Sequence, residues 1–125
     1  GVPASLPPLV KAYRMQEKAA GVGFDWPHID GVIQKIEEEI REFYDEVNQK
    51  NQKRAEEEFG DLLFSLVNYA RFLGINPDDA LSNANQKFRK RFVKMESKIS
   101  DRQIEMSQLD LDRWEKLWQE VKSEN

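Results

Sequence analysis

The sequence predicts an all-α fold, an antiparallel bundle of about five helices. Apolar residues recur at helical spacing through most of the chain. Alternating apolar–polar runs and Asn-Gly hairpin turns are absent. Most of the Gly and Pro residues fall where they cut the periodic stretches into helix-length pieces.

Each helix has its own signals. Pro7 and Pro8 suit a first helical turn, and Gly21 and Gly23 close that helix after Ala20. Gly23-Phe24-Asp25-Trp26-Pro27 reads as an ordered aromatic loop, with His28 after it in position to cap the second helix. Asp30 is the expected N-cap of that helix, which runs to about Val47. The polar turn 48–52 leads into a third helix from about Lys53 to Leu73, stopped by Gly74. Asn76-Pro77-Asp78-Asp79 supplies a cap, a proline and first-turn acids for a fourth helix to about Ile99. A loop over 100–106 and a Ser107 cap then introduce a short last helix through Val121.

The 125 residues suffice for one domain with a modest core. Without Cys, disulfides, thiolate catalysis and Cys-ligated zinc or iron–sulfur centres are excluded. One histidine excludes a site built on two imidazoles, including a di-iron bundle with paired Glu-x-x-His motifs. A net charge of −4 argues against wholesale nucleic-acid binding. No apolar run approaches the roughly 20 residues of a membrane span, and no signal peptide is visible, so the expectation is a cytoplasmic protein with no membrane partner.

The charged residues are arranged in stripes. In the second helix Val32, Ile36, Ile40, Phe43 and Val47 share an apolar face, flanked by Lys35, Glu39, Glu42 and Glu46, with Glu38 further out. In the third, Phe59, Leu62, Leu63, Leu66, Ala70 and Leu73 form the expected core stripe, flanked by Arg54, Glu58, Asp61, Ser65 and Asn68. A short turn makes these helices antiparallel neighbours, so the acidic flanks meet at the rim of the packed face. Residues 37–61 hold ten acids and four bases. A lone acidic helix face is usually just solvated. Two E-x-x-E/D pairs brought together repel, and oxygen donors alone select magnesium, calcium or manganese.

The fourth helix is opposite in character. Leu81, Ala84, Phe88, Phe92, Met95 and Ile99 make its core stripe, and residues 87–102 carry seven bases against two acids. Asn85 interrupts the apolar face and would need a partner if buried. Lys87, Arg91 and Lys94 share one flank. Cations of this kind beside a metal-loaded acidic face are what a polyphosphate requires. Trp26, Trp114 and Trp118 read first as core residues, with Leu111, Leu117 and Val121 completing the last helix face.

These residues resemble a known family. Glu38-Glu39-x-x-Glu42, then fifteen residues, then Glu58-x-x-Asp61 resembles the E-E-x-x-E…E-x-x-D signature of the MazG-type nucleoside triphosphate pyrophosphohydrolases. The likeness continues through Leu6–Leu9, Gly23–Trp26, Glu58–Phe64, Asn85–Phe92 and Leu117-Trp118-x-x-Val121-Lys122, which together span nearly the whole chain. The resemblance implies one catalytic domain over residues 1–125 with an all-α pyrophosphatase-like fold. The implied reaction is magnesium-dependent cleavage of nucleoside triphosphates to monophosphate and pyrophosphate. By resemblance, Glu39, Glu42, Glu58 and Asp61 are the metal ligands, with manganese a workable substitute for magnesium. Glu38 matches the extra acid, a candidate water activator. Lys87 and Arg91 match triphosphate-contacting positions, Trp118 and Lys122 match positions near the nucleotide, and Arg54 lies where it can reach the phosphates. The resemblance further implies a homodimer or dimer of dimers. It also matches the C-terminal domain of a longer two-domain protein, an expectation in keeping with a first residue other than Met. A non-catalytic helical interaction domain, or a pyrophosphohydrolase of dUTP or phosphoribosyl-ATP, are the alternatives left open at this point.

Overall fold

The computed structural model describes residues 1–124, and among them there are five α-helices, one short 3-10 turn and no strand. The chain divides into two compact units, one of residues 1–80 and one from Leu81 onward. Among the described residues, no helix is long and apolar enough to cross a membrane.

The first unit contains α1 (Pro8–Gly21), α2 (Ile29–Asn48) and α3 (Gln52–Phe72). Proline at the first position of α1 gives up an N–H that no helix could use there. Its far end closes when Gly23, at φ +96°, lets the Phe24 N–H reach back to Ala19 O at 3.0 Å. Helix α2 begins two residues earlier than an Asp30 cap would place it. His28 holds the N-cap position with no side-chain capping bond, and Asp30 lies inside the first turn, where its charge faces the positive end of the helix dipole. Lys50, at φ +58°, turns the chain, and Asn51 then caps α3 by accepting the Arg54 N–H at 3.2 Å. The α2–α3 hairpin is the main packing unit, and α1 lies against α3.

The faces that α3 buries differ from those expected. Ala55, Ser65 and Val67 are buried, whereas Phe59, Leu63, Leu66 and Leu73 remain about half exposed. Helix α3 is flanked by two neighbours, and small side chains occupy the covered positions while the large ones sit along an open edge. On α2 Val32 is 1% exposed, but Ile40 and Val47 are near one-half.

The second unit consists mostly of α4 (Pro77–Asp101), which starts at the end of the first unit, and α5 (Leu111–Ser123). Asn76 Oδ1 accepts from the N–H groups of Asp78 and Asp79, both at 3.1 Å, as the sequence predicts. Gln103, at φ +55°, ends α4. The last helix starts later than expected: Ser107 lies in the 3-10 turn, and Asp110 is the cap, accepting the Arg113 N–H at 2.9 Å. Met95, Ile99, Leu117 and Val121 form the core, with Phe92, Ile104, Leu109, Trp114 and Trp118 around it. Phe92 and Trp114 stack with centroids 6.2 Å apart. Asn85, Leu81 and Phe88 are exposed, so the N-terminal half of the expected α4 core stripe is uncovered and Asn85 makes no buried demand.

Candidate metal centre

The α2–α3 hairpin brings acids from both helices to one place. Glu39 of α2 and Glu58 and Asp61 of α3 each offer a carboxylate oxygen, and these oxygens lie within 4.8 Å of one another. Helical periodicity puts residues 58 and 61 on one face of α3, and the short 49–51 turn holds that face against α2. Glu42, one turn beyond Glu39, lies near enough to Glu58 for its carboxylate to help raise the Glu58 pKa, and so joins the cluster at its edge. The three-residue group therefore contains Glu39, Glu58 and Asp61, with Glu42 attached through Glu58.

The site is electrostatically under-compensated. Glu39 is only 3% exposed. Its Oε1 accepts from Lys35 Nζ at 2.9 Å, while its Oε2 is sealed from solvent with no hydrogen-bond partner. Glu58 Oε2 is in the same condition. Buried acceptors of this kind cost free energy unless a donor or cation meets them. Glu58 responds by holding its proton. Desolvation, then hydrogen bonds shared with Glu39 and Glu42, then the charges of those two carboxylates push its pKa from 4.5 up to about 7. The Lys35 pKa is raised as well, but there the shift favours the charged form, chiefly through the hydrogen bond to Glu39. A cluster of hard oxygens, two of them orphaned, fits a divalent cation of the magnesium or manganese type.

The remaining sequence-selected residues lie elsewhere on these elements. Glu38 is on the outer side of α2, its carboxylate half exposed and 3.7 Å from Lys35 Nζ. Arg54 is exposed in the first turn of α3. In the second unit, Arg91 stacks over the Trp118 ring at 5.3 Å, and Phe88 meets the same ring at 5.8 Å. Arg91 Nε is buried without a partner. Lys87 and Lys122 are exposed. Trp26 is not a core residue: it is 43% exposed and packs over Gly31. Sequence reasoning assigned Lys35 no role, although its i,i+4 spacing to Glu39 carries the signal.

Residues 29–95 match the model of the MazG nucleotide pyrophosphohydrolase domain. The chain is similar to a nucleoside triphosphate pyrophosphohydrolase of Escherichia coli, 45% identical over 123 residues, which cover 97% of this chain and 47% of that protein. A Thermotoga maritima protein named nucleoside triphosphate pyrophosphohydrolase/pyrophosphatase MazG is 44% identical over 117 residues, 94% of this chain and 45% of its own. The uncharacterized protein YabN of Bacillus subtilis is 46% identical over 65 residues, 52% of this chain and 13% of its own. The chain spans about half the length of the first two relatives.

Proposed function

The chain belongs to the MazG nucleotide pyrophosphohydrolase family, and we propose that it hydrolyses nucleoside triphosphates at the α–β phosphoanhydride, releasing monophosphate and pyrophosphate with magnesium as cofactor. The observation that carries this reading is the convergence of Glu39, Glu58 and Asp61 with two buried carboxylate oxygens left unpartnered. A solvated acidic face would leave those oxygens in water.

In this reading Glu39, Glu42, Glu58 and Asp61 hold the metal. Magnesium supplies charge neutralisation to the phosphate oxygens and acidifies water held beside it. Glu38, exposed and carrying only a long contact to Lys35, accepts the proton of the attacking water. As the anhydride P–O bond breaks, the electron pair leaves with pyrophosphate. Lys87 and Arg91 serve the triphosphate and offset that charge, Arg54 contributes to phosphate binding, and Trp118 and Lys122 serve the nucleotide. The half-exposed apolar side chains of α2 and α3 suit pairing of two copies.

A pyrophosphate-release assay over all ordinary and damaged triphosphates, with and without magnesium, tests the reading. Nucleoside monophosphate and pyrophosphate are the expected products. Diphosphate and inorganic phosphate would place cleavage at the other anhydride. No turnover of any triphosphate would favour a helical interaction domain.

A further inference from the structure

Helices α4 and α5 bring four aromatic rings into one array. Phe88 and Phe92, one turn apart on α4, stack with centroids 6.0 Å apart. Trp114 and Trp118, one turn apart on α5, meet them. Phe92 stacks on Trp114 at 6.2 Å, and Phe88 packs against Trp118 at 5.8 Å. The buried Leu117 and Val121 tie the same stretch of α5 into the core with Met95 and Ile99 of α4. Packed on Phe88 and anchored by its helix neighbours, the Trp118 indole is a fixed plate.

Arg91 lies over that plate, its guanidinium carbon 5.3 Å from the ring centroid. Other arginines of the chain are held by carboxylates: Asp25 pairs with Arg71, and Glu120 with Arg102. Among the described residues no carboxylate lies within ion-pair distance of Arg91, and its buried Nε donates to nothing. An ion pair would fix a guanidinium and also cancel its charge. A π-face fixes it and leaves both the charge and the in-plane N–H groups to an anion. The face of the indole that the guanidinium covers is closed to a base.

We propose that Trp118 is a positioning residue for Arg91: its ring holds the guanidinium in the orientation that meets the triphosphate, without neutralising it. Trp118 then serves the nucleotide at its phosphate end, through Arg91, and not by stacking on the base. The assignment rests on the reading of Arg91 as a triphosphate contact.

The test is a double-mutant cycle of Trp118→Leu and Arg91→Ala with two readouts. One is kcat/KM for ATP, GTP, CTP and UTP with magnesium. The other is calorimetric binding of magnesium tripolyphosphate, which carries no base and needs no turnover. Trp118→Leu lowers kcat/KM by one factor, roughly three- to thirtyfold, for all four nucleotides, and weakens tripolyphosphate binding to a similar degree. Trp118→Phe, which keeps a π-face, recovers most of the loss. In the Arg91→Ala background, Trp118→Leu costs nothing further. A ring that stacks on the base, or that only fills the core, keeps its cost in that background, and a base-stacking ring leaves tripolyphosphate binding untouched. Either result overturns the proposal. So does a Trp118→Leu loss that differs among the four bases, or an Arg91→Ala variant that changes neither readout. Should Trp118→Leu fail to fold, Trp118→Met, a flexible gap-filler without a π-face, takes its place. Coupling in tripolyphosphate binding without turnover of any triphosphate would overturn the hydrolase reading and keep the Trp118 assignment. Turnover without coupling would do the reverse.

Discussion

Glu58 offers the sharpest test of the acidic cluster, through a proton that magnesium must displace. Its carboxyl is raised from 4.5 to about 7 by desolvation and by the neighbouring carboxylates of Glu39 and Glu42. Because the folded-state pKa lies above the unfolded one, the protonated form stabilises the fold. That stabilisation is complete below pH 4.5 and is lost as pH rises through 7. Magnesium needs the ionised cluster, so binding below pH 7 must release a proton. For one proton at pKa about 7, apparent affinity falls roughly tenfold at pH 6 and about twofold at pH 7, and is near its plateau at pH 8. Calorimetry in buffers of different ionisation enthalpy reads the protons directly: about one released at pH 6 and close to none at pH 8. Glu58→Gln, which imitates the protonated acid, makes the metal-free protein more heat-stable at pH 8, abolishes the proton release and weakens magnesium binding. Magnesium affinity that stays flat from pH 6 to pH 8 in the wild type, with no proton released, would refute the reasoning.

Other predictions address the remaining parts. Asp61→Ala should abolish magnesium-dependent turnover and thermal stabilisation by magnesium, while metal-free stability holds or rises because a repulsive charge has gone. Arg91→Ala should instead leave magnesium stabilisation intact and lower kcat/KM for triphosphates. Leu117→Ala, at a core position 4% exposed, should cost about 3 kcal/mol in denaturant unfolding. Arg102→Ala should cost about 1 kcal/mol or less, since both members of its ion pair with Glu120 are nearly half exposed. Light scattering should give at least twice the 14.7 kDa chain mass. Phe59→Arg should reduce it to one chain while keeping magnesium binding, because the clustered acids belong to a single protomer.

Helix existence was legible wherever a terminus carried two independent signals. Asn76-Pro77 and Gly74 illustrate this, one giving a capping oxygen and the other a positive φ of 69°. Termini with a single signal were not legible. Asp30 and Ser107 are competent caps by composition, but an N-cap also needs extended backbone, which His28, the other candidate for α2, and Asp110 adopt. The acidic cluster was legible because a period of 3.6 and a short turn suffice to align two pairs of carboxylates. The cavity between α1, α2 and α3 in the first unit was not. Gln16, Trp26 and Arg71 come from three different elements, and nothing in their spacing reveals that Asp25 neutralises Arg71 or that Gly31 admits an indole.

Burial on α2 and α3 inverts the ordinary preference of side chains. Glu39 is 3% exposed while its neighbour Ile40 is 50% exposed; Glu58 has a sealed oxygen while its neighbour Phe59 is 46% exposed. Adjacent helical residues stand about 100° apart, so one rotation of each helix would trade these positions and bury the apolar side chains. The hairpin does not adopt that register. Small residues at 55 and 65 let α3 approach its neighbours closely in the observed one, and Val32 and Val67 are buried there. The register that packs these positions is thus the one that gathers carboxylates and leaves an apolar edge. Each feature is unfavourable in an isolated, metal-free chain: the acids repel, and the edge exposes hydrocarbon to water. A bound cation would relieve the first and a second copy the second. Because both follow from one helix register, the proposed metal centre and the proposed self-association surface are linked consequences of how α2 and α3 pack.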